Sequence, residues 1–430
     1  MLSHTRVQYP AGQGFFHIGR VSSGGSDVDY LYDCGTTAGS NAMRKSVGHA
    51  AHAGLLARPH LDVAFLSHLH RDHINGLPRL RARGMMPMTV VLPYLDDVAR
   101  LITFAADAAH AGSDDDGGFV QEVIIGGASA LREVLGVERV YEVHASDGPP
   151  RGEPVDLIGP PDPPEGDGSE GDRMRVEPFD PSGVRTAGAG VWAIGHGNPF
   201  VVRRTRPGRS DSSAVWLLKV HVDEGIPEAR ASFLAKLEDW RRREGAHDGS
   251  PTEEWLRAEH VRRTLVQHHV DVLIDAFGGS DRLNATSLSL YSGPTNRMPP
   301  YAHDGILTRA GRSLIPASVD LTGRTSWLGT GDACLASEEN LDGFLSHYRD
   351  EIDTVVTLTA PHHGSRENSD AALYARVRPS HVVVAASPRG GYQHPHAEAM
   401  HAAAASGARI VLVGEEDRSQ FSEEVVLRDA

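Results

Sequence analysis

The sequence predicts a mixed α/β sandwich. Short β-prone runs alternate with helix-like stretches towards both ends of the chain. The runs repeatedly end in an acid or a histidine, which gathers polar groups at one edge of the sheets. The chain has 430 residues, 40% hydrophobic and 23% charged, and so has ample material for a core.

Thr5 to Tyr9, Gly14 to Val21 and Asp29 to Tyr32 read as strands joined by glycine turns, the third ending at Asp33-Cys34-Gly35. Asn41 to Leu56 reads as a helix, Val63 to Leu66 as a buried strand, Leu77 to Arg83 as a helix and Met88 to Leu92 as a strand. A helix carrying Leu101, Phe104 and Ala105 precedes an acidic patch at Ser113 to Asp116. From Asp147 to Gly190, Pro, Gly, Asp and Glu dominate, so a long, partly mobile loop is expected. Strands resume at Pro199 to Arg204 and Ala214 to Val220. Charged helices follow at about 227–244 and 251–269, with Trp240 and Trp255 packed inward. Val270 to Ile274 reads as a strand, and Gly293 to Gly323 as a polar excursion. The last third alternates strands at Thr325 to Thr330, Thr354 to Leu358, His381 to Ala386 and Arg409 to Val413 with helices, including Ala397 to Ser406.

The densest chemistry follows the Val63 strand: His68-x-His70-x-Asp72-His73. In extended chain His68 and His70 point the same way and can grip one ion. Asp72 and His73 fall where the chain turns into a helix, close enough for a second. Such a pattern should arise by chance in roughly one per cent or fewer of chains this long. Imidazole with carboxylate suits zinc, manganese or iron better than calcium. Asp33, Asp332, His362 and the pair His394 and His396 also stand at strand ends, so they are expected at the same edge.

Composition excludes several classes. No run of about eighteen apolar residues occurs, so nothing is expected to span a membrane. The first residues lack the apolar core of a secretion signal, and a cytoplasmic protein is expected. Two cysteines, Cys34 and Cys334, are read as buried thiols rather than a disulfide framework. The formal charge of −15 argues against strong nonspecific binding along a nucleic-acid backbone, though not against a nuclease whose cations supply local charge.

The His68-x-His70-x-Asp72-His73 motif resembles the metal signature of the metallo-β-lactamase superfamily. Asp33 matches its early bracing aspartate, Thr330-Gly331-Asp332 its bridging acid, and His362 or His363 its late histidine ligand. Gly12-Gln13-Gly14, Asn284-x-x-Ser287, Pro361-His362-His363-Gly364-Ser365 and Tyr392-x-His394-Pro395-His396 are similar, in order, to the hydrolase domain of ComEC-type competence proteins and their stand-alone relatives. The resemblance implies one four-layer αββα domain. Its core would be about 1–95 and 270–430, with an insertion at about 100–265 that contains the 147–190 loop.

It also implies a binuclear metallo-hydrolase holding two divalent ions, Zn or Mn. His68 and His70 would hold one ion and Asp72, His73 and His362 (or His363) the other, with Asp332 between them and an activated water as nucleophile. His394 or His396 would donate a proton or bind phosphate, and Ser365 and Arg366 would orient substrate. A phosphodiester in a nucleic acid or nucleotide-derived molecule is the favoured substrate. Hydrolysis of an ester, lactone, amide or peptide is the alternative, and a regulatory or docking subunit with a protein partner on the insertion is the reading without catalysis. Two departures stand out. Phe15 occupies a position usually acidic in that branch, and the third histidine of the first ion is absent, leaving Asn284, Ser287 or His196 as its equivalent.

Overall fold

The computed structural model describes residues 1–52, 60–110, 118–148, 173–206, 212–223, 227–246, 248–278, 286–295, 303–310, 313–315, 324–387 and 393–427. It is an α/β structure of two mixed sheets with helices. The larger sheet has eleven strands. In order they are β14 (Ser313–Ile315), β13 (His303–Ala310), β19 (Phe421–Leu427), β1 (Leu2–Gln8), β2 (Phe16–Ser23), β3 (Ser26–Cys34), β4 (His60–Phe65), β5 (Met86–Pro93), β6 (Arg139–His144), β9 (Val191–Gly195) and β8 (Arg185–Gly188). The smaller has eight: β18 (Arg409–Val413), β17 (His381–Ala385), β16 (Val355–Thr359), β15 (Ser326–Gly329), β12 (Leu288–Pro294), β11 (Ser212–Val222), β10 (Phe200–Thr205) and β7 (Arg173–Pro178). The helices are α1 (Ser40–His52), α2 (Arg71–Ile74), α3 (Leu77–Arg81), α4 (Asp97–His110), α5 (Phe119–Leu135), α6 (Pro227–Arg243), α7 (Thr252–Leu256), α8 (Glu259–His268), α9 (Val270–Phe277), α10 (Glu338–His347), α11 (Ala371–Val377) and α12 (Ala397–Ala405).

Side-chain alternation explains the layering. On β3 and β4, Tyr30, Tyr32, Val63 and Phe65 face a core shared with Trp216, Leu218, Val220 and Trp327 of the other sheet. Leu31, Ala64 and Leu66 point the opposite way, into a core shared with α3, α4 and α5. The outer face of the smaller sheet is covered by α10 and α11 through Phe344, Tyr348 and Leu373. Within each sheet one stretch is parallel: β3–β4–β5–β6–β9 and β15–β16–β17–β18. The C-terminal ends of parallel strands are where an open α/β sheet presents its site.

Several expectations change. Val270 to Ile274 opens helix α9. Its buried Leu273, Ala276 and Phe277 follow helical spacing, and Gly278 in the left-handed region (φ 73°) closes it. Residues 100–265, expected as an insertion, supply β6 to β11 to the two sheets. Parts of the expected 147–190 loop form β7 and β8, and the Gly293–Gly323 excursion contains β13 and β14, paired onto β19 and each other. The acidic patch at 113–116 and the end of the first expected helix lie outside the described residues, as does much of the 147–190 loop. No helix among the described residues is long and apolar enough to cross a membrane.

A buried ion pair within the larger sheet is hydrogen-bonded to the smaller one. Arg6 Nε donates to Glu423 Oε2 at 2.7 Å, and Thr357 Oγ1 on β16 donates to the same oxygen at 2.6 Å. Arg6→Met is expected to lower unfolding free energy in urea by about 3–5 kcal/mol by stranding the carboxylate, and adding Glu423→Leu should restore much of it. Burial raises the Glu423 pKa, but Arg6, His381 and Thr357 outweigh it and hold the group at about 2 rather than its ordinary 4.5. The folded pKa is the lower one, so this stabilisation is present above pH 4.5 and drains away as pH falls towards 2.

Candidate metal centre

Asp33, from the end of β3, is the brace. Its backbone is left-handed (φ 56°), turning the buried carboxylate towards the next strand. There Oδ1 accepts the Ser67 N–H and Oδ2 the Ser67 hydroxyl, both at 2.6 Å, and Oδ2 also accepts His73 Nδ1 at 2.8 Å. Holding Nδ1 leaves His73 Nε2 as the free nitrogen. Ser67 Oγ also lies 2.9 Å from His68 Nδ1, so one serine hydroxyl fixes the start of the motif.

The motif's turn is packed from below. A Cβ on Gly35 would lie 2.4 Å from the Asp72 carbonyl carbon, and one on Gly14 (φ 144°) 2.3 Å from the Gly35 oxygen. The Phe15 N–H donates towards the carbonyls of Gly35 and Asp72. The Phe15 side chain, where an acid was expected, lies parallel to the His73 ring at 6.5 Å between centroids.

Asp332 comes from the other sheet, after β15. Gly331 takes φ 52°, and a Cβ there would meet Ser287 Oγ at 2.5 Å and Ser67 Cβ at 2.7 Å. Ser287 Oγ accepts the Asp332 N–H at 3.0 Å, and Asn368 Nδ2 donates to the Asp332 carbonyl at 3.1 Å. The carboxylate is thereby presented with one oxygen to each side. Oδ2 lies 3.4 Å from His68 Nε2 and 3.5 Å from His362 Nε2. Oδ1 lies 3.3 Å from His73 Nε2 and 3.9 Å from His363 Nε2.

The adjacent histidines therefore separate. Both have left-handed backbone (φ 45° and 56°), so successive rings leave the turn in different directions. His363, rather than His362, joins Asp72 and His73, with Nε2 3.2 Å from Asp72 Oδ2. Its Nδ1 is spent on the Ala385 carbonyl at 2.7 Å. His362 spends Nδ1 on Asn368 Oδ1 at 2.9 Å and faces the oxygen shared with His68. His70 Nδ1 lies 2.9 Å from His68 Nε2.

The donor set fits metal. The potential ligand atoms of His68, His70 and Asp332 lie within 4.8 Å of one another, as do those of His73, Asp332 and His363, and of His68, Asp72 and His73. His73 Nε2, Asp332 Oδ1 and His363 Nε2 are buried with no hydrogen-bond partner. Three such polar atoms converging on one space, unpartnered among the described residues, could hold a cation.

The electrostatics agree. Burial opposes charge on Asp332 and Asp72, yet the surrounding histidines outweigh it and hold both carboxyls well below the usual range. Burial likewise opposes charge on His73 and His363, and the carboxylates of Asp332 and Asp72 raise both. Burial dominates at His68 and His70, which are pushed down and offer neutral nitrogens.

The other expected residues divide. His394 is buried against the centre, its ring centroid 5.3 Å from His362 and 6.3 Å from His363, with Gln13 Nε2 3.4 Å from its Nδ1. His396 stands at the start of α12, where Nδ1 accepts the Arg366 N–H at 3.1 Å. Arg366 is exposed and paired with Glu367 and Glu398, while Ser365 is buried and its Oγ accepts the Glu367 N–H. Of the equivalents for a third histidine, Asn284 lies outside the described residues and Ser287 is occupied by the Asp332 backbone. His196 groups with His221 and His347 instead of with His68. Cys34 is a buried thiol pushed upward by burial and the neighbouring Asp33, Cys334 is half-buried, and neither is in a disulfide. Sequence reasoning missed Ser67 and Asn368, which orient ligands but carry no ligand chemistry of their own.

No protein-family model matches the chain, and no curated protein matches it significantly in sequence.

Asp33→Ala is expected to weaken binding of zinc to the full-length chain by about 10–100-fold, because His73 loses the acceptor that fixes its tautomer. Calorimetric titration of the metal-stripped protein measures this.

Proposed function

We propose that the chain is a binuclear metal-dependent hydrolase with the four-layer αββα sandwich of the metallo-β-lactamase type, and that its substrate is a phosphodiester. One observation carries the reading: the two oxygens of Asp332 face two different sets of histidines. His68, His70, His362 and Oδ2 would hold one divalent ion, and Asp72, His73, His363 and Oδ1 the other. With His362 placed there, the first set no longer lacks a third imidazole. Nitrogen and carboxylate donors in these proportions suit zinc or manganese. The helix layers on both outer sheet faces support the fold assignment.

Divalent ions in this centre supply Lewis acidity and lower the pKa of water at neutral pH. The chain does the rest. Asp33, Ser67, Asn368 and the Ala385 carbonyl hold the imidazoles in one tautomer and orientation, so little reorganisation is left to the reaction. Burial and the neighbouring histidines push the pKa of His394, on the wall beside His362, down to about 3, so its neutral ring is placed to hydrogen-bond a phosphate or leaving oxygen rather than to protonate it. His396 holds the Arg366 backbone and so shapes the turn that carries Ser365 and Arg366, the residues assigned to the substrate. The choice of phosphodiester rests on the order of motifs that resembles ComEC-type domains, since the donor set alone serves esters and amides equally well.

Activity against bis-(p-nitrophenyl) phosphate, DNA, RNA, p-nitrophenyl acetate, a lactone and a peptide, each with added zinc or manganese, tests this. Cleavage of a phosphodiester is expected. Turnover confined to the ester, lactone or peptide would overturn the substrate class, and no turnover with any of them would overturn the hydrolase. Asp332→Ala and Asp72→Ala are expected to lose more than about 100-fold in activity. His394→Ala should lower kcat by about 100-fold while metal content stays unchanged.

A further inference from the structure

Three histidines that the centre around Asp332 does not use meet elsewhere. His196 lies just after β9, His221 on β11, and His347 is the last residue of α10. On β11, Val220 and Val222 face the core between the sheets, so His221 points to the outer face, where Phe344 and Tyr348 of the α10 region pack on it. The ring centroids are 5.1 Å apart for His196 and His221, 4.8 Å for His196 and His347, and 4.9 Å for His221 and His347. One nitrogen from each lies within 4.8 Å of the others.

The tautomers are set for ligation. His196 Nδ1 donates to the Val222 carbonyl at 3.1 Å, leaving Nε2 its lone pair. His347 bonds the Val220 carbonyl, and its Nε2 is buried without a partner. His221 Nδ1 is also buried without a partner, as is Asp223 Oδ2, while Asp223 Oδ1 lies 3.7 Å from His221 Nε2. Stranding such groups is unfavourable, and a cation among them would remove that penalty. The nearest fixed positive charge, Lys219, is neutralised by Glu351 at 3.0 Å. Asp147, exposed and 3.4 Å from His196 Nε2, adds negative charge on the solvent side.

We propose that His196, His221 and His347 form a separate structural zinc site. Three converging imidazoles are a donor set that zinc favours, with Asp147 beside His196 Nε2 on the solvent side of the fourth position. The site would tie the end of β9 in one sheet to β11 in the other and to α10 outside it.

The test uses full-length Asp332→Ala combined with His68→Ala and His73→Ala, which takes ligands from both sides of the first centre, and measures zinc by mass spectrometry and calorimetry after metal removal and re-addition. One zinc ion should remain tightly bound and raise Tm. Adding His196→Gln, at the half-buried edge of the cluster, or His347→Gln should weaken that zinc by at least about 100-fold and abolish the zinc-dependent rise in Tm. Cobalt in its place should give the visible spectrum of a tetrahedral nitrogen and oxygen site. No tight zinc in that chain, or zinc that both added substitutions leave unchanged, would overturn the proposal. If the added variants do not fold, the stoichiometry of the chain carrying Asp332→Ala, His68→Ala and His73→Ala decides: one tight zinc is expected, and none would overturn the proposal.

Discussion

Everything at the main centre depends on holding one carboxylate between two sheets. Asp332 follows a strand of the smaller sheet, whereas His68, His70, Asp72 and His73 follow a strand of the larger. Its position is fixed three ways. Thr330 bonds Thr359 on β16 through both its N–H and its hydroxyl, Ser287 accepts the Asp332 N–H, and Asn368 donates to the Asp332 carbonyl. The chain between them passes Ser67 and Ser287 with room for glycine alone at 331. The Leu288 N–H closes the seam by donating to the Ser67 carbonyl at 2.7 Å. A slip of either sheet would move one set of ligands without the other.

The imidazoles obey one rule at both histidine clusters. Where a ring nitrogen is tied to a carboxylate, amide oxygen or backbone carbonyl, the opposite nitrogen is presented bare to the cluster's interior. His73 uses Asp33, His362 uses Asn368, His363 uses the Ala385 carbonyl, and His196 and His347 use carbonyls of β11. The clusters differ in what else is present. The first has three carboxylates, Asp33, Asp72 and Asp332, and a further histidine, His394, on its wall. The second has Asp223 and is walled by aromatic rings, which suits holding an ion more than reacting with a substrate.

What could be read from the sequence was what is local. His68 to His73 lie on one turn, and Asp33 and Asp332 close short strands, so spacing alone brought them to one edge. The roles of His362 and His363 could not be read in that way. Residues adjacent in sequence serve opposite sides of Asp332 because two consecutive left-handed conformations turn their rings apart, and no periodicity encodes that. Val270 to Ile274 was misread because β-branched residues weigh towards strand, while Leu273, Ala276 and Phe277 on one helix face decided the outcome. His196, His221 and His347 are far apart in the chain, so only the packing of α10 on β11 reveals them as a group.

The charge distribution bears on how a substrate is held. The two arginines that flank the ligand motifs are both engaged, Arg71 with Asp107 at 3.3 Å and Arg366 with Glu367 and Glu398. Asp107 itself is pushed up by burial to about 6 despite its arginine, a sign of how little water reaches that side. The formal charge of −15 on the chain opposes long-range attraction of a polyanion. Under the proposed function, the ions become the main local source of positive charge, and they act at contact distance rather than over the surface.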